Sequence, residues 1–299
     1  VYQLVELERE LGHEAYIVYA DGQEHHISWF AHAAPEITWQ HMLNIADKKR
    51  DLIVGWEDPE PLFRSAFFNK VMYVQGEVFI NRSNPYRGLD VWMSSEFNRN
   101  ALPQFREHTL FMVSPFIDSR VFHLPEGATY DALDPWEARR TAIMLQERKD
   151  GQGARAKIMR ADEAPRWIDS NGRTEIEVFR DCPEQEFADN LRASRVFVAH
   201  SYPEGFGLPP LEAMACGCIV VGFTGGGGSD FMFHGDNCMV APTDGDYTTL
   251  AVMLGFVNDM HADDVRRMRQ SALRTAKFYS KSRTMEQLRL ALEKYQEAE

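Results

Sequence analysis

The 299-residue sequence predicts an α/β protein made of two doubly wound, Rossmann-like domains. Three observations carry this expectation. Apolar runs of strand length alternate with polar, helix-forming stretches in both halves of the chain, and the alternation lapses once, between Ser114 and Pro135. The length also exceeds the roughly 100 to 200 residues expected of one domain. Regular alternation of this kind builds parallel sheets covered by helices, whose doubly buried strands read as continuous apolar runs.

The elements follow in order. Val1, Leu4, Val5, Leu7 and Leu11 form an amphipathic helical stripe, Gly12 ends it, and the run Ala15–Tyr19 reads as a strand. A helix that leads into a buried strand normally follows another strand, so the pattern implies a first strand and its glycine turn upstream of Val1. The runs Asp51–Trp56, Lys70–Gln75, Leu89–Ser94 and Thr109–Pro115 continue the first domain. After the Pro-, Asp- and Gly-containing lapse, the stretch TAIMLQERK reopens the alternation, followed by Thr174–Phe179, Arg195–His200, Cys218–Phe223 and Cys238–Pro242. The text beyond Asp263 is helical and is expected to cap or strap the domains. The expected division is 1–125, 126–280 and a C-terminal helix over 281–299, with a cleft between the two domains.

Composition excludes several function classes. A formal charge of −13 argues against nucleic-acid binding by counterion release, so any phosphate ligand is expected to be small. No apolar run approaches the roughly 20 residues of a membrane span, which leaves only peripheral membrane contact open. Cys182, Cys216, Cys218 and Cys238 fit neither a zinc module nor a disulfide scaffold and point to a reducing, cytoplasmic compartment. Cys216 and Cys218 are expected in the core. The histidines, His25 and His26 included, show no ligand pattern.

The stretch SYPEGFGLPPLEAMACGCIVVGFTGGGG, Ser201 to Gly228, concentrates the chemistry. It spans a helix expected over Leu208–Cys216, between the strands RVFVAH and CIVVGF, with Pro209 and Pro210 in the first turn and Gly217 past the end. That helix starts at a strand's carboxyl edge, where open α/β sheets bind ligands and where unpaired N–H groups favour an anion. Gly205 and Gly207 let the backbone come close. Glu204 before the turn and Glu212 inside the helix read as hydroxyl acceptors for different parts of one ligand, such as a sugar or a ribose diol. Gly225 to Gly228 read as a second close approach of backbone to that ligand. Taken without this setting, two glutamates eight positions apart are ordinary surface charge.

The sequence EGFGLPPLE followed by AMACGCIVVGF resembles the E-x7-E signature of the retaining GT-B glycosyltransferases of the family-4 group, which use nucleotide sugars. The order of elements over Ile143–Leu254 is similar as well, and GHEAYIV and VSPFIDSRVFHL are similar to the second strand and the interdomain linker of that fold. The resemblance implies transfer of a sugar from a nucleotide-sugar donor to the hydroxyl of a glycan or other acceptor, with no metal ion and no cofactor. Glu204 would meet the sugar and the positive charge that develops on it. Glu212 would hold the ribose, and Gly205, Phe206, Gly207, Leu208, Gly227 and Gly228 would line the donor site. Arg148 and Lys149 resemble the basic pair that holds the diphosphate. Growing charge on a departing diphosphate is stabilised by fixed cations and a helix N-terminus, whatever the family. Asp244–Asp246, DGD, reads as a turn away from the site and not as a metal motif. Gln75 and Glu77 are the acceptor-side candidates, and Phe179–Cys182 the nucleotide-base candidates. The alternative is a catalytically silent module of the same fold that binds a nucleotide, a glycan or a partner protein.

Overall fold

The computed structural model describes residues 2–19, 32–56, 65, 67–76, 89–102, 110–147, 149–161, 176–180 and 182–296. The chain packs as two compact units, Val1–Pro115 with Ser282–Glu299, and Phe116–Lys281.

In the first unit the helix Tyr2–Glu10 buries Leu4, Val5 and Leu7, the stripe its spacing predicts. β1 (Ile17–Val18) and β2 (Glu36–Ile37) form a short parallel pair. β3 (Leu52–Trp56), β4 (Asn69–Val74), β5 (Asp90–Met93) and β6 (Leu110–Met112) form a parallel sheet in the order β3-β4-β5-β6. Met72, Val74, Val91, Met93 and Leu102 fill its core. The terminal helix Lys281–Gln296 is tied to this unit: Gln287 Oε1 accepts from Ser114 N at 3.0 Å and Thr284 Oγ1 donates to Ser114 O at 2.9 Å.

The second unit holds a five-stranded, all-parallel sheet built from β7 (Thr141–Gln146), β8 (Ile176–Phe179), β9 (Ser194–Ala199), β10 (Ile219–Gly222) and β11 (Cys238–Val240). Their order is β11-β10-β9-β7-β8. Side chains alternate across a strand, and both faces are apolar. Val196, Val198, Ile219 and Val221 face one layer with Leu250 and Leu254, while Phe197, Ala199 and Val220 face the other with Leu191, Leu211 and Met214. The sheet is therefore doubly wound, as its near-continuous apolar strands predict.

The division falls earlier than the expected 125/126. Ile117 and Phe122 lie in the core of the second unit, and Ile117 N donates to Tyr279 O at 2.9 Å. Apolar packing, invisible in a segment without periodicity, assigns residues 116–125 to the second unit.

Candidate active site

In an open parallel sheet, ligands bind outside the strands' carboxyl ends at the point where strand order reverses. Here β7, the first strand of the second unit, lies between β8 and β9, so the chain runs from β7 to one side, to β8, and from β9 to the other, to β10. Two loops start at this point. The first, after Gln146, turns sharply: Lys149 and Asp150 have φ of 56° and 68°, a left-handed conformation uncommon outside glycine. Asp150 then caps the helix Gly151–Arg160, its carboxylate accepting from Gly153 N at 3.1 Å. The second loop follows β9 and carries His200, Ser201, the cis Tyr202–Pro203 peptide and Glu204.

The loops meet. Lys149 Nζ lies 2.8 Å from Glu204 Oε1 and also donates to Pro203 O, joining candidates 55 residues apart. His200 Nε2 lies 2.8 Å from Gln146 O. Arg148 lies outside the described residues, as do Glu77, Asp181, His25 and His26.

The helix beyond, Leu208–Ala215, is capped by Gly207 at φ 90° with no side-chain cap bond. Proline has no N–H, so Pro209 and Pro210 remove two of the donors expected there and Leu208 is the one residue of the three that keeps its own. The N-terminus is open but poorer in donors than a helix start without prolines. The Phe206 side chain is buried, its ring centroid 5.7 Å from that of Phe231 and 5.4 Å from that of Tyr279, which anchors the turn. The concavity at this edge is lined by Gln146, His200, Glu204, Gly207, Thr224 and Gly228, among others. Glu212, half-buried one turn into the helix, does not line it.

The glycine loop does something the sequence does not reveal. Glu204 N donates to Gly225 O at 2.6 Å and Gly227 N donates to Glu204 O at 2.8 Å. A Cβ on Gly225 would stand 2.7 Å from Ser201 O, and one on Gly227 2.3 Å from Gly205 O. The close approach at these two positions is to the protein's own EGFG turn, and it fixes that turn from behind. Gly228 faces the concavity. The expectation that Asp244–Asp246 lies away from the site is also corrected. Asp244 Oδ1 accepts from Gly225 N at 3.4 Å, while Asp246 caps the helix Tyr247–Asn258 by accepting from Thr249 N at 3.0 Å.

Burial holds the His200 pKa below its ordinary value; the Gln146 carbonyl and the carboxylates of Asp150, Glu147 and Glu204 offset this only in part. The ring is therefore neutral at neutral pH. A carbonyl cannot donate, so Nε2 carries the proton and Nδ1 is left a bare acceptor. Among the described residues neither Nδ1 nor Glu147 Oε2 has a hydrogen-bond partner. The sequence assigns neither residue a role, although their places at the carboxyl ends of two strands are visible signals. Cys216 and Cys218 are buried thiols, and desolvation pushes the Cys218 pKa up to about 11, which makes it a core group and no nucleophile. Among the described residues no three His, Cys, Asp or Glu side chains cluster as a metal site would require. In the first unit, Gln75 follows β4 beside Tyr73, whose hydroxyl donates to Val113 O at 2.9 Å.

A second charged cluster locks the other end of the helix Leu208–Ala215. Arg139 donates to Asp134 Oδ2 at 2.7 Å, to Ser194 O at 2.8 Å and to Cys216 O at 2.9 Å. Arg269 donates to Gly217 O at 2.8 Å and to Asp134 Oδ1 at 2.6 Å. Arg139 thus satisfies the carbonyl of the cap residue, and Arg269 that of the glycine just past it.

Residues 146–255 match the family model for glycosyl transferases group 1, a span that holds Lys149, Glu204, Glu212 and the glycine loop. No curated protein matches the chain. Among solved structures it is similar to a TarM mutant of S. aureus in complex with Fondaparinux, alpha-GlcNAc-glycerol and UDP, at 16% identity and TM-score 0.62, covering 85% of this chain and 57% of that one. The pneumococcal O-GlcNAc transferase GtfA in complex with UDP and GlcNAc is similar at 16% identity and TM-score 0.59, covering 87% of this chain and 59% of that one. A glycosyltransferase from Rickettsia africae is similar at 12% identity and TM-score 0.63, covering 99% of this chain and 93% of that one. The chain thus spans less than two thirds of the length of TarM and GtfA. At these identities the likeness is one of fold: the chain has the α/β architecture with parallel sheets of the GT-B glycosyltransferases, and its residues 146–255 match the glycosyl transferases group 1 family.

Proposed function

We propose that the protein is a retaining, metal-independent glycosyltransferase that moves a sugar, of hexose type, from a nucleotide-diphosphate donor to an acceptor hydroxyl in polysaccharide or glycoconjugate synthesis. The observation that carries this reading is the Lys149–Glu204 pair, a cation and a carboxylate 2.8 Å apart at the reversal point of the second sheet and inside the matched segment. The UDP in the TarM and GtfA structures supports a nucleotide-sugar donor.

In this reading Lys149, with Arg148, holds the diphosphate. As the bond from the anomeric carbon to the phosphate oxygen breaks, the growing phosphate charge is met by the ammonium and by the Leu208 N–H at the helix start. Glu204 accepts from hydroxyls of the donor sugar and stabilises the positive charge on its anomeric carbon. The acceptor oxygen attacks on the face the phosphate leaves, and its proton passes to the departing phosphate oxygen, so atoms and charge balance without a metal. Glu212 grips the ribose diol, and Gln75 and Glu77 serve the acceptor.

Calorimetric titration with UDP, GDP, dTDP and ADP, followed by turnover of the corresponding nucleotide sugars with and without EDTA, tests this. Binding of one diphosphate and turnover that survives EDTA are expected. Absence of diphosphate binding overturns the reading, and tight binding without turnover of any nucleotide sugar replaces it with a silent binding module.

A further inference from the structure

We infer that His200 is a positioning residue for Lys149, acting through the main-chain carbonyl of Gln146. The inference rests on the sugar-transfer reading, in which Lys149 holds the diphosphate.

The geometry comes first. Gln146 is the last residue of β7, three positions before Lys149, and His200 is the first residue past β9, four positions before Glu204. The 2.8 Å bond from His200 Nε2 to Gln146 O therefore ties the two strands where the two functional loops depart. The same carbonyl is confined from its other side, because a Cβ on Gly151 would stand only 2.3 Å from that oxygen. Held between an imidazole and the start of a helix, the carbonyl fixes the peptide plane from which the chain leaves β7 toward Lys149 and Asp150. The loop then places these two consecutive non-glycine residues in the left-handed region. Such a conformation persists only where its surroundings over-determine it, and it gathers at functional sites. Its product is the position of Lys149 Nζ, 2.8 Å from Glu204.

The chemistry of the ring agrees. His200 is 3% exposed, and Nε2 makes its one hydrogen bond among the described residues while Nδ1 makes none. A side chain kept only to fill space here would be apolar, since a buried imidazole with one orphaned nitrogen carries a cost. The acidic groups that face the ring, Glu147, Asp150 and Glu204, would favour its charge, and burial outweighs them. The ring stays neutral and its donor stays on the Gln146 side.

Two amide substitutions separate positioning from packing. The amide nitrogen of glutamine stands three bonds from Cβ, as Nε2 does, and reaches Gln146 O; that of asparagine stands two bonds from Cβ and does not. Affinity for UDP, or for whichever of GDP, dTDP and ADP binds instead, and for the bare nucleoside is measured on the full chain, with thermal unfolding in parallel. His200→Asn is expected to weaken diphosphate binding about tenfold while leaving nucleoside affinity within about twofold, the size of one lost hydrogen bond read through a charge contact. His200→Gln is expected to retain diphosphate affinity within about threefold of the parent. On a Lys149→Ala background His200→Asn is expected to cost nothing further, the non-additivity of residues that act as one unit. Equal diphosphate affinities in the Asn and Gln variants, a parallel loss of nucleoside binding, or full additivity with Lys149→Ala overturns the inference. Should the Asn variant not fold, the Gln variant decides: retained affinity supports the inference, and a loss beyond about tenfold overturns it. Lys149→Ala alone tests the parent reading, because unchanged diphosphate affinity there sinks the role of Lys149 and leaves no doubt which of the two ideas failed.

Discussion

The two ends of the helix Leu208–Ala215 each carry a charged cluster, and the clusters differ in burial and in hydrogen-bond satisfaction. At the C-terminal end the side chains of Arg139 and Arg269 are each 3% exposed, and their guanidinium groups share the Asp134 carboxylate and close the backbone carbonyls of Asp134, Ser194, Cys216 and Gly217. At the N-terminal end Lys149 is 34% and Glu204 19% exposed, the cap residue offers no side chain, and Glu147 Oε2 and His200 Nδ1 lack hydrogen-bond partners among the described residues. One end is satisfied and the other is not. A buried charge must be paired where it is, so the Asp134 cluster serves the fold. Polar groups left open beside a backbone turn of unusual conformation fit the proposed ligand site.

Breaking the satisfied end has the largest expected effect. Arg139→Met leaves the half-buried Asp134 without one of the two guanidinium groups that share it and opens the Ser194 and Cys216 carbonyls, and urea unfolding should show a loss of about 3 kcal/mol or more. A loss below about 1 kcal/mol would erase the contrast between the ends.

Lys149→Met tests the open end. A half-exposed pair contributes little to stability, so unfolding should shift by less than about 1 kcal/mol. Diphosphate affinity should nonetheless fall by about tenfold or more, with nucleoside affinity unchanged, because the lost contact is with phosphate. An equal fall for both ligands refutes the assignment of Lys149 to the diphosphate.

The two glutamates sharpen the comparison within the open end. Glu204 lines the concavity and Glu212 does not. Glu204→Gln should lower turnover at least tenfold and leave diphosphate affinity within a few-fold of the parent. Glu212→Gln should weaken every ligand that carries the ribose. Calorimetry and a turnover assay together separate these outcomes, and normal turnover by Glu204→Gln breaks the division of labour.

The smallest effect is on acid stability. Burial alone would raise the Asp134 pKa, but the hydrogen bond and charge of Arg139 and the charge of Arg269 outweigh it and hold the pKa below 3.8. A depressed carboxylate pKa adds stability that is complete above the unfolded value and disappears as pH falls through the folded one. Unfolding free energy should therefore drop as pH is lowered past 3.8, and Asp134→Asn should flatten that slope.

Legibility in the sequence followed the same divide. The helix Leu208–Ala215 and its flanking strands were readable because proline, glycine and apolar runs act locally, on the residues that carry them. Glu204 could be singled out from its place before the glycine turn and Lys149 only from the family resemblance, yet neither said that the two touch. The four glycines pointed to close backbone approach, and the approach of Gly225 and Gly227 turned out to be to Ser201 and Gly205. Asp244 looked like part of a remote turn, and its carboxylate reaches Gly225.

The sequence by itself determined which segments are strands in the second unit and where the helix after β9 runs, that both faces of its sheet are buried, and which residue types stand at the strand ends. These are properties of short windows, where side-chain period and backbone preference act within a few residues. Only the tertiary structure decided that β7 lies beside β9, and with it that Lys149 reaches Glu204, that His200 holds the Gln146 carbonyl, and that residues 116–125 pack with the second unit. Strand order is set by how apolar layers close over distances of fifty residues and more, and no local pattern carries that information.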